Sequence, residues 1–112
     1  MARKVTIPST VKLGAHEFKV RMLRGMAARR GNSAESSGPL CEIRIDVDRV
    51  NSQKIQGFWH EVVHQAWDIF GGGQKEPTEG QCDAFAEAVT QVLTGAMGLD
   101  FDFSDLPVED SQ

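Results

Sequence analysis

The stretch His60-Glu61-Val62-Val63-His64 constrains this chain most, because it places two of the three histidines four residues apart. On an α-helix such positions lie on one face, about 6 Å apart along the axis, so two imidazoles can converge on one metal ion. A glutamate between them would lie beside the open position of a catalytic zinc and could take a proton from water. The pattern favours a zinc site that hydrolyses amide bonds. The alternative is a buried helix with two hydrogen-bonded histidines and a surface glutamate.

The motif lies in a segment that has the length and composition of a buried helix. The helix is predicted to begin near Asn51 or Ser52, both good N-cap residues, and to end before the glycines at 71–73. Apolar residues cover most of its circumference, which predicts a central position in the fold. These residues are Ile55, Phe58, Trp59, Val62, Val63, Ala66, Trp67, Ile69 and Phe70. Histidines and a glutamate inside such a helix need partners, because unpaired buried polar groups are costly, and a metal ion would supply one.

A second helix is predicted from Thr78, which has the spacing of a capping box with Gln81. The residues expected on its apolar face are Ala84, Phe85, Ala88, Val89, Val92, Leu93 and Ala96. Beside that face lie Glu79, Asp83 and Glu87, four residues apart and therefore one above another. Like charges at this spacing repel each other, so the row indicates either a bound cation or a solvated acidic edge.

A catalytic zinc has three protein ligands and keeps a fourth position for water. His60 and His64 would be two of the ligands, and we expect Glu79, in the first turn of the second helix, to be the third. Asp83 would then accept a hydrogen bond from a liganded imidazole, which metal-bound histidines commonly need. The reverse assignment, with Asp83 as the ligand, remains open. One zinc ion (Zn²⁺) per chain is expected.

The N-terminal half predicts a small antiparallel sheet. Residues 5–23 alternate in the manner of strands around Gly14-Ala15, which predicts a hairpin with glycine first in a two-residue turn. Residues 40–47 alternate again and predict a half-exposed strand, along whose edge an extended substrate is expected to lie. Residues 24–39 are rich in glycine and serine and are predicted to be a loop. The sequence thus indicates an α+β fold, in which the hairpin and one further strand pack on two helices.

Composition indicates a globular protein without a membrane segment. The 112 residues are 40% hydrophobic and 25% charged, and no apolar run resembles a membrane span or a signal peptide, so we expect a cytoplasmic protein. Cys41 and Cys82 form no C-x-x-C motif and are expected to be free thiols. Arg24, Arg29 and Arg30 lie in the predicted loop, but no aromatic residue is interleaved with them. A solvated loop is therefore favoured over a nucleic-acid contact.

The globular domain is expected to span residues 1–98 and to be followed by a tail at 99–112. The tail contains five acidic residues and no lysine or arginine, which favours a flexible segment. It also contains Leu99, Phe101, Phe103 and Leu106. These leave two alternatives, an interaction segment or one that folds back over the cleft.

The two motifs together resemble those of a known group of enzymes. H-E-x-x-H followed by E-x-x-x-D is similar to the gluzincin arrangement, in which the later glutamate is the third zinc ligand and the aspartate supports the site. The run E-G-Q-C-D-A-F-A at 79–86 resembles the E-x-x-A-N-x-F-A signature of ImmA/IrrE-like metallopeptidases. Short phage and prophage proteins of this zincin type share a hairpin, an I-x-I-D strand and a final helix ending in Q-V-L, as at Gln91-Val92-Leu93. The resemblance covers about residues 11–94.

The resemblance implies a minimal zincin-like domain that acts on a protein or peptide substrate, in the host cytoplasm if the chain is phage-encoded. His60, His64 and Glu79 would hold the zinc, and Glu61 would be the general base. The chain departs from the pattern in three ways: cysteine and aspartate replace the alanine and asparagine of the signature, no helix-turn-helix segment accompanies the domain, and there is no tyrosine. Gluzincins commonly stabilise the oxyanion with a tyrosine or an extra histidine, and the only histidine left is His16.

Two other functions are compatible with the sequence. The first is a zinc-stabilised phage accessory protein that inhibits or recruits a host protein with little or no hydrolysis. The missing tyrosine, the small size and the acidic tail favour it. The second, more distant, is a DNA-associated protease of the SprT-like kind, which would require the three loop arginines to bind DNA.

Overall fold

The structure is a computed structural model that describes residues 3–26, 33–71 and 73–110. Within these ranges it has an α+β fold, in which a mixed sheet packs against helices. The strands are β1 (Arg3–Thr6), β2 (Thr10–Leu13), β3 (His16–Arg24), β4 (Ala34–Ser37), β5 (Glu42–Asp46), β6 (Leu99–Asp102) and β7 (Val108–Asp110). The helices are α1 (Asn51–Phe70) and α2 (Glu79–Thr90), and a π-helical segment, Gln91–Ala96, continues α2. The predicted fold class is confirmed, and the sheet is larger than expected.

The main sheet has the strand order β2-β3-β5-β4, and β7 also pairs with β3. The predicted hairpin is confirmed: Leu13 pairs with His16, and Gly14 has a φ of 61°, which a glycine adopts without strain. The expectation of a purely antiparallel sheet is wrong, because β3 and β5 are parallel. Parallel neighbours need a crossover connection, and here that connection contains β4 on the far side of β5.

The prediction of a loop at 24–39 is therefore wrong where β4 forms. Arg29 and Arg30 lie outside the described residues. β4 pairs antiparallel with β5 at the end of the strand order. Its sequence, A-E-S-S, has low strand propensity, and the strand exists because β5 offers it a partner. β5 consequently lies inside the sheet. The expectation that β5 presents a free edge to substrate is wrong.

Helix α1 has the predicted bounds and packs against β4 and β5 of the main sheet. The prediction of Asn51 or Ser52 as the N-cap is wrong: the N-cap residue is Val50, which makes no side-chain hydrogen bond. The side-chain amide of Asn51 instead donates to the carbonyl oxygen of Phe101 at 3.0 Å. Neither described helix combines the length and apolar character that crossing a membrane requires. The core between α1 and the sheet consists of Ile7, Phe18, Val20, Met22, Ile43, Ile45, Ile55, Phe58, Phe101, Phe103 and Leu106.

Helix α2 begins with the predicted capping box, in which Thr78 and Gln81 exchange side-chain and backbone hydrogen bonds. Its predicted apolar face is wrong in part. Cys82 and Ala86 are the buried residues of α2, whereas Phe85 is 58% exposed. Small apolar residues occur on more than one side of this helix, so periodicity alone does not identify the face that packs against α1.

The predicted flexible tail at 99–112 is wrong for its described part. β6 pairs with β1 and β7 pairs with β3, and the side chains of Phe101, Phe103 and Leu106 are buried in the core. The burial of three large apolar side chains outweighs the repulsion among the acidic residues. Three of the five acidic residues pair with cations of the N-terminal strands, in the ion pairs Lys4–Asp102, Arg21–Glu109 and Arg24–Asp110.

Candidate metal centre

Helix α1 presents His60 and His64 on one face, one turn apart. Their ring centroids are 4.9 Å apart, and the two Nε2 atoms are separated by 3.2 Å. Both side chains are partly buried, with exposed fractions of 12% and 27%. The imidazoles therefore converge, as the sequence predicts for a shared metal ion.

Glu79 completes a group of three potential ligands. The capping box begins α2 at this residue, and the packing of α2 on α1 brings its carboxylate to the histidines. Oε2 lies 2.8 Å from Nε2 of His60, and Oε1 lies 2.9 Å from Nε2 of His64. One potential ligand atom from each of the three residues lies within 4.8 Å of the others. These three residues could hold a metal ion.

Asp83 lies on the opposite side of the His60 ring. Its Oδ1 is 2.6 Å from Nδ1 of His60, whereas Glu79 is on the Nε2 side. An ionised carboxylate only accepts hydrogen bonds, so both ring nitrogens donate when His60 is protonated, and in the neutral ring a proton on Nδ1 is donated to Asp83. In neutral His60 this leaves a lone pair on Nε2, directed toward Glu79. The geometry thus gives Glu79 and Asp83 different surroundings, and only Glu79 approaches both Nε2 atoms.

The chemistry of this donor set fits a zinc ion. Three groups that offer lone pairs, the two Nε2 atoms and the Glu79 carboxylate, lie 2.8–3.2 Å from each other. Ligands about 2.0–2.1 Å from a tetrahedral zinc are separated by about 3.3 Å, close to these distances. Without a cation, such lone pairs repel unless the histidines are protonated.

The electrostatic environment also favours positive charge at this position. Burial by itself would lower the pKa of His60, but the hydrogen bond to Asp83, the charge of Glu61 and the hydrogen bond to Glu79 outweigh it. The pKa of His60 is therefore raised above its ordinary value. The same carboxylates that stabilise an imidazolium would stabilise a divalent cation.

Glu61 is buried, with 7% of its surface exposed, so the alternative of a surface glutamate is wrong. The hydroxyl of Ser36 donates to its Oε1 at 2.7 Å, and the amide of Gln65 donates to Ser36 Oγ at 2.9 Å. The other carboxylate oxygen, Oε2, lies 3.9 Å from Nε2 of His60. One oxygen of Glu61 is thus held by the protein, and the other points toward the potential ligands.

Sequence reasoning missed the residues that orient Glu61. Ser36 lies on β4, and Gly57, one turn before Glu61, lets this strand approach α1: a Cβ added at Gly57 would lie 2.9 Å from Cβ of Ala34. Two strand residues and four helix residues advance by nearly the same distance, about 6–7 Å. Ser36 therefore meets Glu61, just as Ala34 meets Gly57. A glycine in the middle of an otherwise regular helix is the one sequence signal that could have indicated this contact.

Cys82 is fully buried, and its Sγ lies 3.7 Å from Nδ1 of His64. Burial, followed by the charges of Glu79, Glu61 and Asp83, raises the pKa of this thiol above its ordinary value. The prediction of free thiols is confirmed for both cysteines. Cys82 is thus a neutral neighbour of the His64 ring, on the side away from the converging Nε2 atoms.

Two clefts open beside these residues. One, of about 520 Å³, is lined by Ser33, Ala34, Arg49, Gln53, Gln56, Gly57, His60, Glu61, Glu79 and Asp83. The other, of about 400 Å³, is lined by Ala34, Glu35, Ser36, Glu61, His64, Gln65, Asp68 and Glu79. No described residue of the C-terminal strands contributes to either cleft, so these strands do not cover the centre. The site is open to a ligand on both sides of Glu61.

Comparisons with models of known protein families, with curated proteins and with solved structures yield no match for this chain. The resemblance to ImmA/IrrE-like metallopeptidases consequently rests on the sequence patterns alone.

Proposed function

We propose that this chain is a zinc-dependent metallopeptidase in which His60, His64 and Glu79 bind the metal and Glu61 is the general base. The observation that supports this most is the convergence of two imidazoles and one carboxylate beside a buried glutamate. Structural zinc sites are closed by four protein ligands. The group formed by the described residues offers three, which suits a site that keeps one position for water.

Zinc at this position would supply a Lewis acid that polarises a peptide carbonyl and lowers the pKa of water toward about 7. Glu61 would take a proton from that water through Oε2, the oxygen that Ser36 does not hold. The water oxygen bonds to the carbonyl carbon, the C–N bond breaks, and Glu61 returns the proton to the leaving nitrogen. Asp83 would keep the proton of His60 on Nδ1, so that Nε2 stays available. An extended substrate would lie beside β4 and occupy both clefts.

Zinc binding is tested by elemental analysis of the purified protein. We expect one zinc per chain, lost in His60→Ala and in His64→Ala because each removes a ligand. His16→Ala is the matched control, since His16 is the first residue of β3, next to the hairpin turn, and its loss should leave the zinc content unchanged. Full zinc retention by both helix variants would end the ligand assignment.

The roles of the two acidic residues are separated by zinc affinity. Glu79→Ala should weaken binding more than Asp83→Ala, because loss of an outer hydrogen-bond partner costs about 10- to 100-fold and a lost ligand costs more. Glu87→Ala, two turns beyond Glu79 on the same helix, is the control and should bind zinc normally. The opposite order of the first two variants would make Asp83 the ligand.

Hydrolysis is tested with Glu61→Gln, which should retain zinc but no longer cleave a peptide library that the wild type cleaves. One observation favours the alternative function, a zinc-stabilised binding protein. Gluzincins commonly stabilise the oxyanion with a tyrosine or an extra histidine. This chain has no tyrosine, and its third histidine, His16, lines a separate cleft with Gln65 and Asp68. If wild type and Glu61→Gln act alike in every assay, the binding function replaces the peptidase.

A further inference from the structure

The two clefts share Ala34, Glu61 and Glu79, so they form one groove along α1 with the metal centre between its ends. Residues of successive turns of α1 line it from Gln53 to Asp68, and Arg49 lies just before the helix. At about 1.5 Å per residue, α1 from its first residue to Asp68 is about 26 Å long, which an extended peptide of about eight residues spans. A bound segment would therefore meet both ends.

Arg49 gives one end of the groove a positive charge. Its side chain is 40% exposed, and Nε lies 3.5 Å from Oδ2 of the buried Asp46. The two terminal nitrogens make no hydrogen bond or ion pair with any residue in the described ranges. Among the described residues that line the first cleft, Arg49 is the only lysine or arginine. Among the described residues, the guanidinium is thus anchored on one side and has no partner on the other, which suits a carboxylate.

Asp68 gives the opposite end a negative charge. It is exposed and has no ion pair with a described residue, and it lines both the second cleft and a third one of about 320 Å³. The third cleft has apolar walls from Phe18, Pro39 and Ile69. No described lysine or arginine lines either cleft. A lysine or arginine side chain would pack its aliphatic part on these walls and place its charge at Asp68.

We infer that the groove selects an extended peptide segment with an acidic residue toward Arg49 and a basic residue toward Asp68. The inference rests on the proposed function, because it requires a peptide to lie across the metal centre. Contacts of the peptide backbone with β4 and with the metal centre would fix the direction of the chain, so a segment with the reversed charge order would place like charges together at both ends.

The test uses two fluorescein-labelled decapeptides of equal composition, one with Glu near the amino end and Lys near the carboxyl end, the other in the reverse order. Binding to zinc-loaded Glu61→Gln protein is measured by fluorescence anisotropy, so that no cleavage is needed. We expect one order to bind about 5- to 30-fold more tightly at low salt, with the difference shrinking at high salt. The double variant Arg49→Glu/Asp68→Lys should reverse the preferred order.

A control variant exchanges charges away from the groove. Lys12 and Glu17 are exposed partners in the hairpin, so Lys12→Glu/Glu17→Lys keeps net charge and pairing and should not change the preference. Equal binding of the two peptides, no binding of either, or a preference that survives the Arg49/Asp68 exchange would overturn the inference. The peptides could instead bind with a preference that the Arg49/Asp68 exchange reverses, while the wild-type protein cleaves neither of them. That result would overturn the proposed peptidase activity and support the assignment of the groove.

Discussion

Replacing Ser36 by alanine tests whether β4 holds the proposed general base. The substitution removes the hydroxyl that donates to Glu61 Oε1 at 2.7 Å, and the side chain of Glu61 is only 10% exposed. A hydrogen bond to a charged group contributes about 1.5–3 kcal/mol, so we expect a loss of about 2 kcal/mol in the free energy of unfolding. With about 2.1 cal/mol/K of unfolding entropy per residue, a chain of 112 residues should then melt about 8 °C lower.

The assay is denaturant unfolding in the presence of a chelator, so that metal binding does not contribute to stability. Ser37→Ala is the matched control, because this hydroxyl accepts only a weak bond from the Leu40 N–H at 3.3 Å and its loss should cost about 0.5 kcal/mol. A double-mutant cycle with Glu61→Ala should give a coupling energy above about 1 kcal/mol. A coupling energy near zero, with both serine variants alike, would refute the claim that Ser36 holds Glu61.

Three further predictions concern packing and pH. Gly57→Ala should lower the free energy of unfolding by about 1–2 kcal/mol, since the overlap of the new Cβ with β4 at 2.9 Å outweighs the gain in helix propensity. Gly80→Ala should raise the free energy of unfolding, because its Cβ would have no neighbour closer than 3.8 Å, and denaturant titration measures both variants. Phe101→Ala should lower the free energy of unfolding by about 3–5 kcal/mol in the same assay, because this side chain is buried in the core. A change below about 1 kcal/mol would support the prediction of a flexible tail. The pKa of Asp102 is lowered to about 2 by the backbone N–H and hydroxyl of Ser104 and by Lys4, so its carboxyl resonance in an NMR titration should have a midpoint near pH 2. The ionised carboxylate then stabilises the fold above about pH 4, and this contribution is lost as pH falls toward 2. A midpoint near pH 4 would contradict these contacts.

Features that depend on neighbours in the sequence were predictable. The turn at Gly14 follows from the conformational freedom of glycine, and the start of α2 follows from the reciprocal hydrogen bonds of Thr78 and Gln81. The juxtaposition of His60 and His64 follows from the helical repeat. Each involves groups within a few residues of each other, whose geometry the backbone dictates.

Features that depend on partners far away in the sequence were not predictable. β4 has the composition of a loop and becomes a strand because β5 supplies its hydrogen bonds. The acidic C-terminal segment is ordered because Phe101 and Phe103 reach a core that residues far earlier in the chain create. The buried face of α2 is likewise selected by α1, since the helix carries apolar residues on several sides.

The sequence by itself determined the types of the potential ligands and their spacing on α1, because a regular helix converts a separation of four residues into a shared face. Only the tertiary structure decided that Glu79 reaches both Nε2 atoms, that Asp83 meets the far side of the His60 ring and that Ser36 holds Glu61. Those relations depend on how α2 and β4 pack against α1. Packing is set by long-range burial and backbone pairing, which no local pattern encodes.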